Sequence, residues 1–311
     1  MHSQLHPLAP QSTADGLRER LIWGPLTLSV TNLDVAEAFW TAVIGFVRRP
    51  DPGPGLALGT PERTLVVLVR GAISPVAKGY AGMYHAAFGM PSQAEFSRRM
   101  RRFLDLGVQF SPVDHLNSKA IYLHDPDGHG IEIAWETPER FGRFSVDGGR
   151  FAMFDANGSP HSGRELLDLK AELAMADNTD PALPLHRDAC VAHIHLHVPA
   201  LDPSLDWFEG LGFARNLYLP AFGMADMGAG APNTHRLAMN LWAGPGAQPA
   251  PRASARLLSY QLETTDGDTL AAAKAHLAQD PVTGVQTGID PAGVTLTLAL
   301  RAAEHTKQEA A

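Results

Sequence analysis

The run His193-Ile194-His195-Leu196-His197-Val198, continued by Leu201, Asp202, Trp207, Phe208 and the pair Gly212-Phe213, decides the fold because the chain writes it twice. Its counterpart runs from Pro25 to Phe46, with Leu26, Leu28 and Val30, then Leu33 and Asp34, Phe39 and Trp40, and Gly45-Phe46; one deletion aligns the two. Each copy opens with period-two alternation, the mark of a half-buried strand, and then changes to helical spacing. Asp34 with Glu37, and Asp202 with Pro203, predict the helix starts. A Gly-Phe pair closes each helix.

Two further units follow from the same reading. One opens at Met83 to Met90 and continues into Ser92 to Leu106, where Ser92 and Glu95 read as a capping box and Phe96, Met100 and Phe103 form one apolar stripe. Arg98, Arg99, Arg101 and Arg102 flank that stripe and read as its solvated face. The other runs from Leu257 to Leu300, with strands near Ser259 to Leu262 and Val294 to Leu300 and a helix near Leu270 to Leu277. The fold class is therefore α+β. The units cover residues 20–72 and 80–137, a first pair, and 189–245 and 255–302, a second pair. Residues 138–188 break into Gly, Asp, Ser and Pro punctuation, with one helical piece near Arg164 to Met175, and read as a connecting segment.

Composition bounds the function. A chain of 311 residues, 45% hydrophobic and 19% charged, fits about two compact units. A net charge of -8 repels phosphate backbones and anionic lipids, so neither nucleic acid nor a membrane surface is an expected partner. Cys190 is the single cysteine, which excludes an internal disulfide and suits a reducing, cytoplasmic setting. Gln4, Pro7, Pro10, Gln11 and Ser12 interrupt any apolar core a secretory signal would need, and Ala303 to Ala311 reads as a frayed tail.

The histidines carry the chemistry. His193, His195 and His197 share one strand face while Ile194, Leu196 and Val198 share the other. The aliphatic face packs inward, so the imidazoles line a concavity, where they suit metal or acid-base work. The second unit repeats this sparsely: His85, Ala87 and Gly89 on one face, Ala86, Phe88 and Met90 on the other. In Ile131-Glu132-Ile133 a carboxylate points away from two buried isoleucines. An inward glutamate needs a cation. Each residue alone also reads as a hydrogen-bonded structural histidine or an edge-strand carboxylate.

The run Tyr122-Leu123-His124-Asp125-Pro126-Asp127-Gly128-His129-Gly130-Ile131-Glu132, with His193-Ile194-His195-Leu196, resembles the vicinal oxygen chelate superfamily. More narrowly, the span from Trp23 to Leu300 resembles bacterial catechol-2,3-dioxygenase-like ring-cleaving proteins. The resemblance implies four βαβββ modules, paired into two cups of curved sheet. It places metal ligands at His85 and Glu132 of the second module and His193 of the third. Pro25 in the first module, and Ser259 and Thr297 in the fourth, stand at ligand positions and cannot serve. One complete cup then requires the second module to pair with the third.

Two imidazoles and one carboxylate are the set characteristic of non-haem Fe(II) oxygenases, and Mn(II) suits the same ligands. The resemblance further implies His235 as an acid-base group, Tyr122 as a hydrogen-bond partner of the substrate hydroxyl, and His115, His195 and Asn240 as substrate contacts. Strict alternation cannot turn both His235 and Asn240 inward, so His235 is expected in the loop before the strand and Asn240 beside the metal. Tyr122 also reads as a core phenol and His115 as a loop residue. The expected activity is extradiol cleavage of a catechol or hydroquinone by O2. A glyoxalase-like isomerase or lyase and an aromatic-binding resistance protein are the alternatives, and a homo-oligomer is open.

Overall fold

The structure is a computed structural model that describes residues 19–50, 53–147, 150–230 and 235–301. The readings of the N-terminal segment through Ser12 and of the tail from Ala303 fall outside these residues. In the first module, β1 (Ile22–Val30) leads into α1 (Leu33–Phe39), which continues as a π-helical turn over Trp40–Ile44, and then into β2 (Val47–Arg48), β3 (Leu56–Gly59) and β4 (Thr64–Arg70). The second has β5 (Gly82–Gly89), α2 (Gln93–Asp105), β6 (Ser111–Asp114), β7 (Ser118–His124) and β8 (Gly130–Glu136). Between the halves lie β9 (Phe141–Asp147), β10 (Arg150–Asp155), β11 (Pro160–His161), β12 (Glu165–Leu166) and α3 (Leu169–Leu173). The third module has β13 (Cys190–His197), α4 (Leu201–Glu209), β14 (Ala214–Leu219), β15 (Met224–Gly228) and β16 (Leu237–Asn240). The fourth has β17 (Arg256–Thr264), α5 (Gly267–Ala273), β18 (Ala278–Gln279), β19 (Gln286–Ile289) and β20 (Thr295–Leu300).

The modules pair across the chain. One sheet runs β12-β6-β7-β8-β5-β13-β16-β15-β14 and joins the second module to the third; the other runs β18-β19-β20-β17-β1-β4-β3-β2 and joins the fourth to the first. This is the pairing that the distribution of ligand-type residues requires. Alternation sends Leu26, Leu28 and Val30 of β1, and Ile194 and Leu196 of β13 with Val198 just after it, into a single core with Phe96, Met100 and Phe103 of α2. That leaves the opposite faces of both sheets free to form cups.

Several local expectations need correction. Asn32, not Asp34, caps α1, its side-chain oxygen accepting from the Asp34 and Val35 amides. The Asn32 oxygen reaches two amides there, and Glu37 instead pairs with Arg48. α4 begins at Leu201 with Ala200 as an unassisted cap, and Asp202 accepts from the Tyr218 hydroxyl. Ser92 does accept from the Glu95 amide, but Glu95 turns to Arg98 rather than back to the cap.

The arginines of α2 are not a solvated face. Arg98, Arg99 and Arg102 are buried. Arg102 donates to the carbonyls of Ala42, Val43 and Pro181, and Arg99 to those of Ile44, Pro181 and Leu183, while Arg98 pairs with Glu95 and donates to Leu183 and Pro184. The end of the first helix and the connecting segment cover this face, and their otherwise unpaired carbonyls need donors. The connecting segment itself is more ordered than its punctuation suggests. β9, β10 and β11 form a three-stranded sheet, β12 adds to the edge of the nine-stranded sheet through Leu166 opposite Val113, and the helical piece is confined to Leu169–Leu173.

Candidate metal centre

Strand register assembles the donors. β5 runs antiparallel to β13 with His193 opposite Ala87, and parallel to β8 with Ala87 opposite Glu132. His193, Ala87 and Glu132 therefore form one row across three strands, and His85 lies two residues before Ala87 on the same face. The methyl of Ala87 at the centre of the row leaves the space between the donors clear. His85 Nε2 lies 3.0 Å from Glu132 Oε2, His193 Nε2 lies 3.2 Å from it, and the two ring nitrogens are 3.3 Å apart. All three side chains are buried.

The chemistry of this set fits a divalent metal. Glu132 Oε2 is buried with no aligned hydrogen bond, although two imidazole nitrogens approach it closely. Three donor atoms within 4.8 Å of one another are thus aimed at a common point. Burial pushes His193 down to about 4, against the pull of Glu132, so its imidazole is neutral and its lone pair available at neutral pH. Burial alone would raise Glu132, but the two imidazoles override it and hold the carboxyl well below its usual range. A neutral His193 beside an ionised Glu132 is the pair of protonation states a metal requires.

Module four repeats the geometry without the chemistry. Ser259 lies opposite Thr27, and Thr27 opposite Val67, with Pro25 two residues earlier. No ionisable side chain stands in that row. In the cup with His85 and Glu132 the third module contributes only His193 to the candidate donor set, because the position matching Glu132, across from His195, is Ala238.

A ring of partners surrounds the donors. His235 precedes β16, as expected, and its ring stands 4.6 Å from that of His193, nearly perpendicular. Its Nδ1 lies 2.7 Å from Asp226 Oδ2, and Asp226 Oδ1 accepts from Asn216 Nδ2 and the Leu217 amide. Burial would lower His235, but the Asp226 carboxylate outweighs it and raises the ring above its ordinary value. Tyr122 lies directly opposite Glu132, its ring 5.4 Å from that of His85. His115 donates from Nδ1 to the Gly163 carbonyl at 2.6 Å, which leaves Nε2 to accept from the Tyr122 hydroxyl at 2.9 Å. Burial, and then the nearby Glu132 charge, raise the Tyr122 phenol well above its usual range.

Asn240 and His195 enter the same cup, engaged with each other. Asn240 Nδ2 donates to His195 Nε2 at 2.8 Å, and Asn240 Oδ1 accepts from His197 Nδ1 and the Trp242 amide. Both ends of the Asn240 amide are thus spent on ordering the wall. Tyr84 packs its ring 5.0 Å from His195 and 5.4 Å from Trp242, and both aromatics remain partly exposed at the rim. A bulge beside His195 permits this, since His195 faces His85 and Leu196 faces Met83.

Sequence reasoning missed Asp226, Tyr84 and Trp242. Asp226 left a signal: a carboxylate inside Met224-Ala225-Asp226-Met227-Gly228 must find a donor if the strand is buried. Tyr84 left none, because strict alternation assigns it to the face opposite His85 and only the bulge reverses that.

Comparison with known proteins agrees with this architecture. A family model described as Glyoxalase/Bleomycin resistance protein/Dioxygenase superfamily matches residues 23–133. The chain is similar to a catechol-2,3-dioxygenase of Bacillus subtilis (strain 168), 28% identical over 243 residues that cover 76% of this chain and 80% of the relative. Among solved structures, a candidate dioxygenase from Bacillus subtilis subsp. subtilis str. 168 superposes with a TM-score of 0.56 at 12% identity, covering 92% of this chain and 86% of that one. Glyoxalase I from Zea mays gives 0.52 at 15% identity, covering 89% and 92%. These two likenesses concern the fold. Among the described residues, no helix is long and apolar enough to cross a membrane.

Proposed function

The chain carries a domain of the Glyoxalase/Bleomycin resistance protein/Dioxygenase superfamily, and from that premise we propose that it is an extradiol ring-cleaving dioxygenase acting on a catechol or hydroquinone with O2. The observation that carries the reading is the buried set of two imidazoles and one carboxylate, His85, His193 and Glu132, with Ala238 where a second carboxylate would stand. Such a set is the donor chemistry of non-haem Fe(II) oxygenases, and Mn(II) is the second candidate. Bound Fe(II) would supply the one-electron and O2 chemistry that no side chain provides.

The remaining roles belong to protein groups. Asp226 fixes the Nδ1–H tautomer of His235, and through its other ring nitrogen His235 takes a proton from a substrate hydroxyl and returns it to the opening ring. The Tyr122 hydroxyl, backed by His115, orients the substrate oxygen on the side of Glu132. Asn240 holds His195 and His197 as one wall of the cup, and burial of the donors keeps bulk water from the reacting atoms.

Anaerobic loading with Fe(II), metal analysis and an oxygen electrode test the reading. We expect one iron per chain and O2 uptake with a panel of catechols. Glu132→Gln and His193→Ala should each weaken metal retention by more than about 100-fold, since each removes a direct ligand. Fully loaded protein that consumes no O2 with any catechol would overturn the proposal, and turnover of a thiohemiacetal by the Zn(II) or Ni(II) form without O2 would replace it with an isomerase.

A further inference from the structure

The segment between the two halves of the chain does more than connect them: it delivers one guanidinium to the cup. Resting on the ring-cleavage reading, we propose that Arg164 is a specificity-determining residue that pairs with an anionic substituent on the ring, so the substrate class is a catechol bearing a carboxylate.

The backbone around Arg164 is pinned from three directions. The Gly163 carbonyl accepts from His115 Nδ1 at 2.6 Å, the Arg164 amide donates to Ser162 Oγ at 3.2 Å, and the next two residues join β6 through Glu165 opposite Asp114 and Leu166 opposite Val113. Gly163 has φ +79, and a Cβ there would meet Met153 Sδ at 2.7 Å, so only glycine makes this turn against β10.

That register brings β12 to the Tyr122 side of the sheet edge. Leu166 pairs with Val113, Val113 with Ala120, and Ala120 lies two residues from Tyr122, which is opposite Glu132. Arg164 lies just before β12 and is exposed, and its side chain reaches toward Tyr122, which shares a face with Glu132. Its guanidinium carbon lies 5.9 Å from the centroid of the Tyr122 ring, in cation-π range. The charge is therefore on the substrate side of the sheet, beyond the phenol that separates it from the metal ligands.

No carboxylate neutralises it. Among the described residues, no acidic side chain lies within ion-pair distance of Arg164, whereas nearby Arg140 is paired with Asp114 and Lys119 with Glu172. Glu165 directs its carboxylate to the Ser162 amide. An arginine on a hydrogen-bonded turn, over an aromatic ring and with no acidic side chain within ion-pair distance among the described residues, is equipped for bidentate recognition of a carboxylate. Neutral catechol would leave this group unused.

The test compares catechol with 3,4-dihydroxybenzoate and 3,4-dihydroxyphenylacetate, both as anaerobic binding to the Fe(II)-loaded protein by calorimetry and as kcat/KM for O2 uptake. The carboxylated ligands should be preferred over catechol, and Arg164→Met should reduce that preference roughly 10- to 100-fold, as expected for loss of a charged hydrogen-bonded pair. Arg164→Lys should retain part of it, and raised salt should shrink the preference in the wild type but not in Arg164→Met. Wild-type protein without a preference for the carboxylated ligands, or Arg164→Met with the preference intact, overturns the inference. Arg164-dependent binding of the carboxylated ligands without O2 uptake upholds the inference and refutes the ring-cleavage reading, so the two failures are distinct.

Discussion

Asp226 touches no reacting atom in the proposed chemistry, yet the acid-base step depends on it. Its Oδ2 sits 2.7 Å from His235 Nδ1, while Oδ1 is held by Asn216 and the Leu217 amide, so the carboxylate cannot rotate away. Asp226→Asn keeps the shape but no longer guarantees an acceptor for Nδ1–H, which frees the other tautomer. We expect kcat to fall by roughly 100-fold, the lower end for lost acid-base assistance, with the iron content unchanged. His235→Asn should fall as far, and the double variant little further, because the two act as one unit. Losses that simply multiply would show that Asp226 acts elsewhere. Residue type and strand parity made the shared face of His85, Glu132 and His193 legible in the sequence, and the family resemblance singled them out as a donor set. The site was illegible where position depends on an irregularity, as with Tyr84 on its bulge, or on a distant partner, as with Asp226.

At the scale of elements the same limit applies to α2 and the connecting segment. The apolar stripe of α2 could be read from spacing, but a periodic polar face has one appearance whether it meets water or carbonyls. Arg99 and Arg102 meet the carbonyls of Thr41 to Ile44 and of Pro181 to Leu183, contacts between residues 55 to 84 positions apart. Likewise, the Gly and Asp punctuation of residues 138–188 marks hairpin turns, not the absence of strands; the amides of Asn157 and Ser159 fold onto Asp155 at one of them. A comparable turn between β19 and β20 yields a pH prediction. Asp290 is buried, accepts from the Tyr260 hydroxyl and from the amides of Ala292 and Val294, and is nonetheless pushed up to about 6, burial outweighing those bonds. The folded protein then holds a proton that an unfolded aspartate releases near 3.8, so stability falls as pH rises from about 4 to about 6 and levels above. The drop amounts to about 3 kcal/mol at most. Asp290→Asn should lose this slope in urea unfolding while keeping the acceptor for the turn; a wild-type minus variant difference that stays flat over that range would refute it.

At the scale of the molecule, the crossed pairing makes the cup without a donor set part of the support of the cup that holds His85, Glu132 and His193. Neither half of the chain holds a complete site, since His85 and Glu132 come from one and His193 from the other. The β7–β8 turn, immediately before Glu132, is tied to the other sheet: Asp127 accepts from the amide and hydroxyl of Thr31 at the end of β1, and Asp125 from Trp40 Nε1 and His129 Nδ1. Arg236, next to His235, pairs with Glu136 at the end of β8 and with Glu19 before β1, and its carbonyl accepts from Trp23 Nε1. With one continuous core behind both sheets, the two cups should unfold as a single unit, and anything bound in one should stabilise both. Iron at about 100 times its dissociation constant contributes about 2.7 kcal/mol to the folded state, equivalent to roughly 5 °C in Tm for a chain of this size. Chelation should therefore move one calorimetric transition down by about that amount, with near-UV signals from Trp242 beside the metal cup and Trp23 beside the other sheet falling together in single-tryptophan variants. Two transitions, only one of them sensitive to chelator, would mean that the inter-sheet bonds do not couple the cups and that the silent cup is a separate domain.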